Sequence, residues 1–180
     1  MNKQTIYITG TPCTGKTTIT KELEKTLKCQ TIHLNHILKT QPELTQGKDQ
    51  EKGYIIADIP LLCQHLQKII QKNTLTIVES HLSHLCKNAD KIIILRVHPN
   101  KLEERLKKRN YNEKKIQENL EAEALGVCTI ETYENYPQNS YEIDITNQEL
   151  EETIKQIKSI INSQTPPVIG EIDFTDWLIK

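Results

Sequence analysis

This sequence of 180 residues contains few arginines and few aromatic residues, and its net charge is close to zero. Aromatic side chains occupy 4% of the positions, with a single Phe and a single Trp. The 23 lysines and arginines nearly balance the 24 aspartates and glutamates, which leaves a formal net charge of −1. A surface so close to neutral argues against a protein that coats nucleic acid through bulk positive charge, because such domains are usually clearly basic.

Long hydrophobic runs and closely spaced cysteine pairs are also missing. No apolar stretch approaches the roughly 18 residues of a membrane-spanning helix, and residues 1–10 contain no signal-peptide core. The five cysteines are odd in number and include no Cys-x-x-Cys pair. We therefore expect free thiols in a reducing compartment, and neither a disulfide framework nor a structural zinc site. These features predict a cytoplasmic protein without a membrane partner.

Apolar runs of strand length alternate with helical patterns along the chain. The predicted strands cover residues 3–9, 31–34, 75–79, 91–97 and 141–145. The predicted helices cover residues 16–28, 58–70, 100–109, 113–125 and 148–161, whereas residues 40–53 and 132–140 have the composition of loops. Because some strands are apolar on both faces, the pattern favours an α/β fold with a parallel sheet covered on both sides. We interpret residues 1–180 as one domain with an extended tail at 165–180.

The most specific motif follows the first predicted strand and opens the first helix. Gly10, Gly15, Lys16 and Thr17 fit the phosphate-loop pattern G-x-x-x-x-G-K-[ST]. In such a loop, backbone N–H groups converge on phosphate oxygens with the help of the helix dipole. Lys16 would bridge the β- and γ-phosphates of ATP, and the Thr17 hydroxyl would hold Mg²⁺, with Thr18 adding a phosphate contact.

The rest of the chain discriminates between classes of nucleotide-binding protein. The sequence contains neither the Asn-Lys-x-Asp guanine reader after the loop nor the Asp-x-x-Gly switch of GTPases. A phosphotransferase needs an acceptor-binding insert and a lid with cations. Residues 31–62 could supply the insert. Arg105 and Arg109, two of the three arginines, are four positions apart and would share one face of a lid helix.

Several motifs resemble the adenylate-kinase-6 type family, which includes a coilin-interacting nuclear ATPase and archaeal relatives. The resemblance rests on residues 10–18, 77–82, 105–111 and 119–123, and the ending 172–178 is similar to archaeal members. It implies a P-loop NTPase fold of the nucleoside-monophosphate-kinase type, with a five-stranded parallel sheet and helices on both faces. It also implies adenylate kinase and ATPase activities, and a role in small-ribosomal-subunit maturation through a ribosomal protein of the S-eleven family.

The resemblance assigns roles to individual residues. Lys16, Arg109, Glu79 and His81 would be catalytic, and Thr17 and Glu79 would be the magnesium ligands. An AMP-binding insert would span residues 33–53 and a lid residues 108–118. Together with the loop motif and the lid arginines, it gives the expected ATP-binding residues as Gly10, Cys13, Thr14, Gly15, Lys16, Thr17, Thr18, Arg105, Arg109, Asn147 and Gln148, the last two near the adenine.

Two residues depart from the family pattern. Cys13 replaces a glycine, so a left-handed backbone there would be strained, and its thiol beside a helix N-terminus is expected to react with alkylating agents unless nucleotide protects it. Glu79 stands where the nuclear members usually carry aspartate, and its longer side chain can still reach Mg²⁺ through water.

Three functions remain open at this point. The first is a broad-specificity adenylate kinase that converts ATP and AMP into two ADP, with ATPase activity and a part in rRNA maturation. The alternative is an assembly factor that uses ATP to gate binding of the ribosomal protein, with little metabolic kinase role; a kinase for another small acceptor is a weaker third reading. Direct contact with RNA is left open.

Other residues are assigned structural roles. His33-x-x-His36 and His81-x-x-His84 have metal-like spacing without a third ligand cluster, so we expect His84 to be a polar packing residue. Glu121 and Glu123 could order the lid against its lysines, and Arg96 is expected to end a core strand beside the lid arginines. Phe174 and Trp177 are expected to pack back onto the body.

Overall fold

A computed structural model describes residues 4–50, 54–71 and 74–179. Lys3, at the start of the first predicted strand, and residues 51–53, at the end of the predicted insert, lie outside the described residues, as does Lys180 in the tail.

Strands and helices alternate along the described chain. The strands, numbered in chain order, are β1 (Thr5–Thr9), β2 (Cys29–His33), β3 (Thr45–Lys48), β4 (Ile55–Ala57), β5 (Leu75–Glu79), β6 (Lys91–Arg96) and β7 (Ser140–Asp144). The helices are α1 (Lys16–Thr26), α2 (Leu34–Thr40), α3 (Ile59–Ile69), α4 (Pro99–Lys108), α5 (Glu113–Ala124), α6 (Val127–Asn135) and α7 (Leu150–Ile161).

Five of the strands form a parallel sheet in the order β2-β5-β1-β6-β7. Every residue of β5 and β6 is buried, because helices cover both faces of the sheet, as is usual for parallel sheets. Alternate residues serve two cores: Ile8 and Ile93 belong to one, Tyr7 and Ile94 to the other. The predicted α/β fold with a five-stranded parallel sheet is therefore confirmed.

The helices α3 and α5 each begin after a residue whose side chain caps the helix N-terminus. Asp58 accepts a hydrogen bond from the backbone N–H of Leu61 at 3.0 Å and so caps α3. Asn112 caps α5 in the same way, through the N–H of Lys115 at 2.8 Å. Each cap satisfies one of the backbone donors that a helix N-terminus leaves unpaired. The Asn112 cap ends the connection between α4 and α5, the region of the predicted lid.

Two segments interpreted as loops contain regular structure. The segment 40–53 includes a short 3-10 helix (Pro42–Leu44) and β3, which pairs antiparallel with β4. The segment 132–140 includes the last turn of α6. The prediction of loops was therefore wrong for these residues, because short polar elements carry little hydrophobic periodicity. It holds for residues 136–139, which are in neither a helix nor a strand.

The expectation of five free thiols was also wrong. Cys63 on α3 and Cys86, which follows a 3-10 helix (Ser83–Leu85), form a disulfide with their Cα atoms 5.1 Å apart. The two residues are 23 positions apart in the chain, and only the packing of α3 beside the segment after β5 brings them together. Cys13, Cys29 and Cys128 are free.

The tail packs against the body, as predicted. Val168 forms a parallel bridge with Tyr141 of β7. Phe174 contacts His98 edge to face, with ring centroids 5.2 Å apart, and the Trp177 indole N–H donates to Asn100 Oδ1 at 2.8 Å. Among the helices described, none combines the length and apolar character needed to cross a membrane.

Candidate nucleotide-binding cleft

The phosphate-loop motif lies between the carboxyl end of β1 and the start of α1, as the sequence predicted. Gly10 has φ +132°, and a Cβ there would lie 2.4 Å from the backbone oxygen of Leu95. Only glycine fits that position, because both the backbone conformation and the space exclude a side chain. Cys13 has φ +68°, so the left-handed backbone expected from the sequence is present with a non-glycine residue.

Lys16 is folded back onto its own loop. Its Nζ donates to the carbonyl oxygens of Gly10 and Thr11, each at 2.8 Å. The side chain is buried, and this burial lowers its pKa although Glu79 and Glu123 oppose the decrease. The direct partners of the ammonium are neutral carbonyl oxygens, and a bound polyphosphate would replace them with anionic ones. The loop is therefore suited to a strongly negative ligand.

Glu79 stands at the carboxyl end of β5, next to the loop. Its carboxylate oxygens accept from the Thr17 hydroxyl at 3.2 and 3.3 Å, and Oε1 lies 3.2 Å from His33 Nδ1. Burial alone would raise the pKa of Glu79, but the hydrogen bond from His33 and the charge of Lys16 hold it below its usual value. An ionised carboxylate beside a hydroxyl is a donor set that suits Mg²⁺.

His81 and His84 follow β5 but have different environments. Burial and the charge of Lys16 lower the pKa of His81 to about 4, so its imidazole is neutral at pH 7. His84 Nδ1 lies 2.7 Å from Thr9 Oγ1, and its Nε2 lies 2.7 Å from Glu131 Oε2. The prediction that His84 is a polar packing residue is therefore confirmed. Within the described ranges, no cluster of three or more His, Cys, Asp or Glu residues could hold a metal ion.

Most of the phosphate loop, together with Glu79 and His81, lines a cleft of about 910 Å³, and we divide the lining residues into two walls. We call the phosphate loop (10–18) with Glu79 and His81 the loop wall. The facing wall combines residues of the predicted insert and lid with Tyr54, and the members used below are Asn35, Lys39, Lys48, Tyr54, Arg109, Tyr111 and Lys115. Lys115 Nζ lies 5.1 Å from the ring centroid of Tyr54 and 4.8 Å from that of Tyr111, so it joins the insert side to the lid side.

Some predicted site residues do not line this cleft. Arg105 is not among the lining residues, although its Nη1 donates to the Thr14 carbonyl of the loop at 3.3 Å. Asn147 and Gln148 follow β7, and the Gln148 side chain bonds to Thr153 and Gln156 of α7. Their predicted contact with an adenine stays a prediction.

Arg96 and Glu123 are paired with each other in the core and not with the lid. Arg96 Nε donates to Glu123 Oε1 at 2.9 Å, and both side chains are at most 2% exposed. The expectation that Glu123 orders the lid lysines was therefore wrong. The chain folds α5 so that Glu123 points inward beneath the loop, a side-chain direction that a charge pattern on a surface helix does not reveal.

Three residues at the site were not among the individual site residues that the sequence predicted. His33 touches Glu79, and Tyr54 and Lys115 stack on the facing wall. A signal existed for His33, because it ends β2 and Glu79 ends the adjacent β5, and the carboxyl ends of parallel strands meet at one edge. Lys115 lies in the predicted lid (108–118) and Tyr54 in the candidate insert segment (31–62), but no local pattern singled out either side chain.

Comparison with known proteins identifies related sequences along the whole chain. A family model described as AAA domain matches residues 6–126. A protein of Methanothermobacter thermautotrophicus named "Putative adenylate kinase" is 41% identical over 174 residues, covering 97% of this chain and 99% of the relative. A protein of the same name from Methanosarcina barkeri is 44% identical over 159 residues, covering 87% and 85%.

A solved structure has the same fold. Shikimate kinase from Bacteroides thetaiotaomicron superposes with a TM-score of 0.61, covering 88% of this chain and 98% of that one. With 17% sequence identity, this similarity describes the arrangement of strands and helices and nothing about the substrate.

Proposed function

The chain belongs to the adenylate-kinase-6 type family that these archaeal proteins represent, and from this premise we propose that it is a nucleotide kinase. Its reaction would be transfer of the γ-phosphoryl group from Mg²⁺·ATP to AMP, giving two ADP, with other nucleoside monophosphates accepted and ATP hydrolysis as an accompanying activity. The observation that carries the proposal is the cleft itself, in which Lys16, Thr17 and Glu79 share one space with Arg109.

The loop wall would hold ATP. Backbone N–H groups of the loop, which includes Cys13, Thr14 and Gly15, would cradle the phosphates, while Lys16 would leave its carbonyl partners to reach the β- and γ-phosphates. Thr17 and Glu79 would hold Mg²⁺, and the ion would supply positive charge to stabilise the phosphate oxygens. The low pKa of Glu79 supports this, because only the ionised carboxylate binds a cation.

The facing wall would hold the acceptor. Asn35, Lys39 and Lys48 from the predicted insert line it, and two of them are cations suited to the phosphate of AMP. A phosphate oxygen of AMP is already a competent nucleophile, so positioning and charge stabilisation suffice and no strong base is required. Arg109, at the end of α4, would stabilise charge on the transferring phosphoryl group.

A second candidate function is that of an ATP-driven assembly factor for the small ribosomal subunit. His81 favours it, because a neutral imidazole that lines the cleft beside Glu79 could orient a water molecule for hydrolysis. The partner would be the ribosomal protein of the S-eleven family, near rRNA, and the nucleotide cycle would gate its binding.

One experiment separates the two candidates. ATP consumption and ADP formation are measured with Mg²⁺ alone, then with AMP, then with the purified ribosomal protein. The kinase proposal expects strong stimulation by AMP, with two ADP formed for each ATP used. Hydrolysis that is stimulated by the ribosomal protein, with no ADP doubling, would instead support the assembly factor. If neither addition raised ATP consumption, both proposals would be wrong.

A further inference from the structure

Three charged side chains are buried beneath the phosphate loop. Arg96 ends β6, Glu123 lies near the end of α5 and Glu142 lies on β7; their exposed fractions are 2%, 1% and 1%. Arg96 Nη1 donates to Glu142 Oε1 at 2.5 Å, and its Nη2 donates to the Glu123 carbonyl at 2.7 Å. Burying ions is costly unless each is paired and hydrogen-bonded, and here the guanidinium has a partner on both sides.

Glu123 uses both of its carboxylate oxygens. Oε1 accepts from Arg96 Nε at 2.9 Å and from the backbone N–H of Val97 at 3.0 Å. Oε2 accepts from the hydroxyl of Thr11, the second residue of the phosphate loop. Thus a fixed carboxylate on α5 holds a loop residue whose sequence position is 112 residues away.

Thr11 connects the Glu123 carboxylate to the rest of the phosphate loop. The residue is 3% exposed, and its carbonyl oxygen accepts from Lys16 Nζ at 2.8 Å. The residue therefore connects the buried carboxylate to the ammonium that the proposed mechanism places on the phosphates. A loop that must present N–H groups to phosphate gains affinity when its geometry is fixed before the ligand arrives.

We infer that Glu123, anchored by Arg96, is a positioning residue for the phosphate loop and sets its affinity for the nucleotide. The inference rests on the proposed function, since it assumes that the loop binds the phosphates of ATP and ADP. Glu123 does not line the cleft among the residues described, so it acts through Thr11 and not by touching the nucleotide.

Electrostatics alone predicts the opposite effect, which makes the inference testable. Removing a negative charge near the loop should strengthen binding of a polyanion, because like charges repel. Loss of positioning should weaken it. The sign of the change in affinity after Glu123→Gln therefore distinguishes a positioning carboxylate from one that matters only through its charge.

The test measures ADP binding to the full chain by titration calorimetry with Mg²⁺, at a temperature well below the unfolding midpoint. We expect Glu123→Gln to weaken ADP binding by about 10- to 100-fold, as for loss of a hydrogen bond to a charged group. Glu121→Gln is the matched control: Glu121 lies two positions away on the exposed face of α5, and it should bind ADP like the wild type. Unchanged or tighter binding by Glu123→Gln would overturn the inference.

Variants of Thr11 keep the test valid if Glu123→Gln does not fold. Thr11→Val removes the hydroxyl and should weaken ADP binding in the same range, whereas Thr11→Ser keeps the hydroxyl and should recover most of the loss. Where both single variants fold, Thr11→Val and Glu123→Gln together should be no worse than either alone, because they break one contact. Independent, additive losses would contradict the inference.

Steady-state kinetics adds a readout that a purely structural role would not produce. Glu123→Gln should raise KM for ATP and leave KM for AMP unchanged. Because ADP binding needs no turnover, a wild-type protein that binds ADP but forms none from ATP and AMP would refute the kinase reaction alone. A wild-type protein that binds no ADP would refute this inference as well.

Discussion

The two walls of the cleft differ in how firmly they are held. On the loop wall, Lys16 is 6% and Glu79 3% exposed. Glu79 ends β5, and β1, which leads into the loop, pairs with β5 on one side and β6 on the other. On the facing wall, Arg109 and Lys48 are exposed, and Lys48 belongs to a hairpin of only two short strands. Under the proposed function, the charges that would bind the phosphates of ATP lie on the more buried wall. The cations that would bind the acceptor, which must enter and leave, lie on the exposed wall.

The strongest test of this contrast is Arg109. We expect Arg109→Ala to lower kcat on the order of 10³-fold with little change in stability, because an exposed cation contributes to charge stabilisation in the transition state and not to the core. Lys108→Ala is the matched control, since Lys108 is the adjacent exposed cation at the end of α4. Turnover within about tenfold of the wild type would remove Arg109 from the catalytic residues.

Two glycines with positive φ compare the phosphate loop with the hairpin that carries Lys48. Gly10→Ala should destabilise the protein by about 3–5 kcal/mol, since strain in φ and a clash with the Leu95 carbonyl add together. Gly47, in β3, has φ +104° with no atom within 4 Å of its would-be Cβ, so Gly47→Ala should cost about 1–2 kcal/mol through strain alone. Urea unfolding of both variants measures the difference. Equal losses would mean that the hairpin packs as tightly as the loop.

The disulfide joins α3, which follows the predicted insert, to the segment after β5, which carries His81. Cys63 on α3 follows the insert, and Cys86 follows Glu79 on the same chain segment as His81. Closing a loop of this length should stabilise the oxidised protein by about 3 kcal/mol through the unfolded state. We expect Cys63→Ser to lose that amount under oxidising conditions and Cys29→Ser, which changes a free thiol, to lose much less. Identical wild-type unfolding curves with and without reductant would contradict the contribution.

The smallest effect concerns the reactivity of Cys13. Its thiol is free and lines the cleft within the phosphate loop, so a bound nucleotide would cover it. We expect iodoacetamide to label Cys13 more slowly when ADP and Mg²⁺ are present, with Cys29 in β2 as the internal reference. Mass spectrometry of the labelled peptides measures both rates. If nucleotide left the Cys13 rate unchanged, the cleft would not be the site of phosphate binding.

Local patterns were sufficient to predict the sheet strands and the phosphate loop. Apolar runs such as residues 91–97 identified buried strands. The loop motif was recognisable because its residues are close in sequence and have a fixed spacing. Pairings between distant residues could not be predicted in the same way. Arg96 meets Glu123 and Glu142 across 27 and 46 positions, and nothing in the sequence near any of them shows that these charges face inward.

The position of the tail has a consequence for the edge of the sheet. An edge strand offers unpaired backbone groups to any other strand that approaches. At β7, Val168 covers part of that edge, because its carbonyl accepts from the N–H of Glu142 at 2.8 Å. Glu142 Oε2 accepts from the N–H of Gly170 at 2.9 Å. The carboxylate that pairs with Arg96 therefore also holds the tail segment against β7. Glu142 thereby serves two purposes: it pairs with the buried Arg96, and it keeps the tail on an edge that could otherwise pair with another protein.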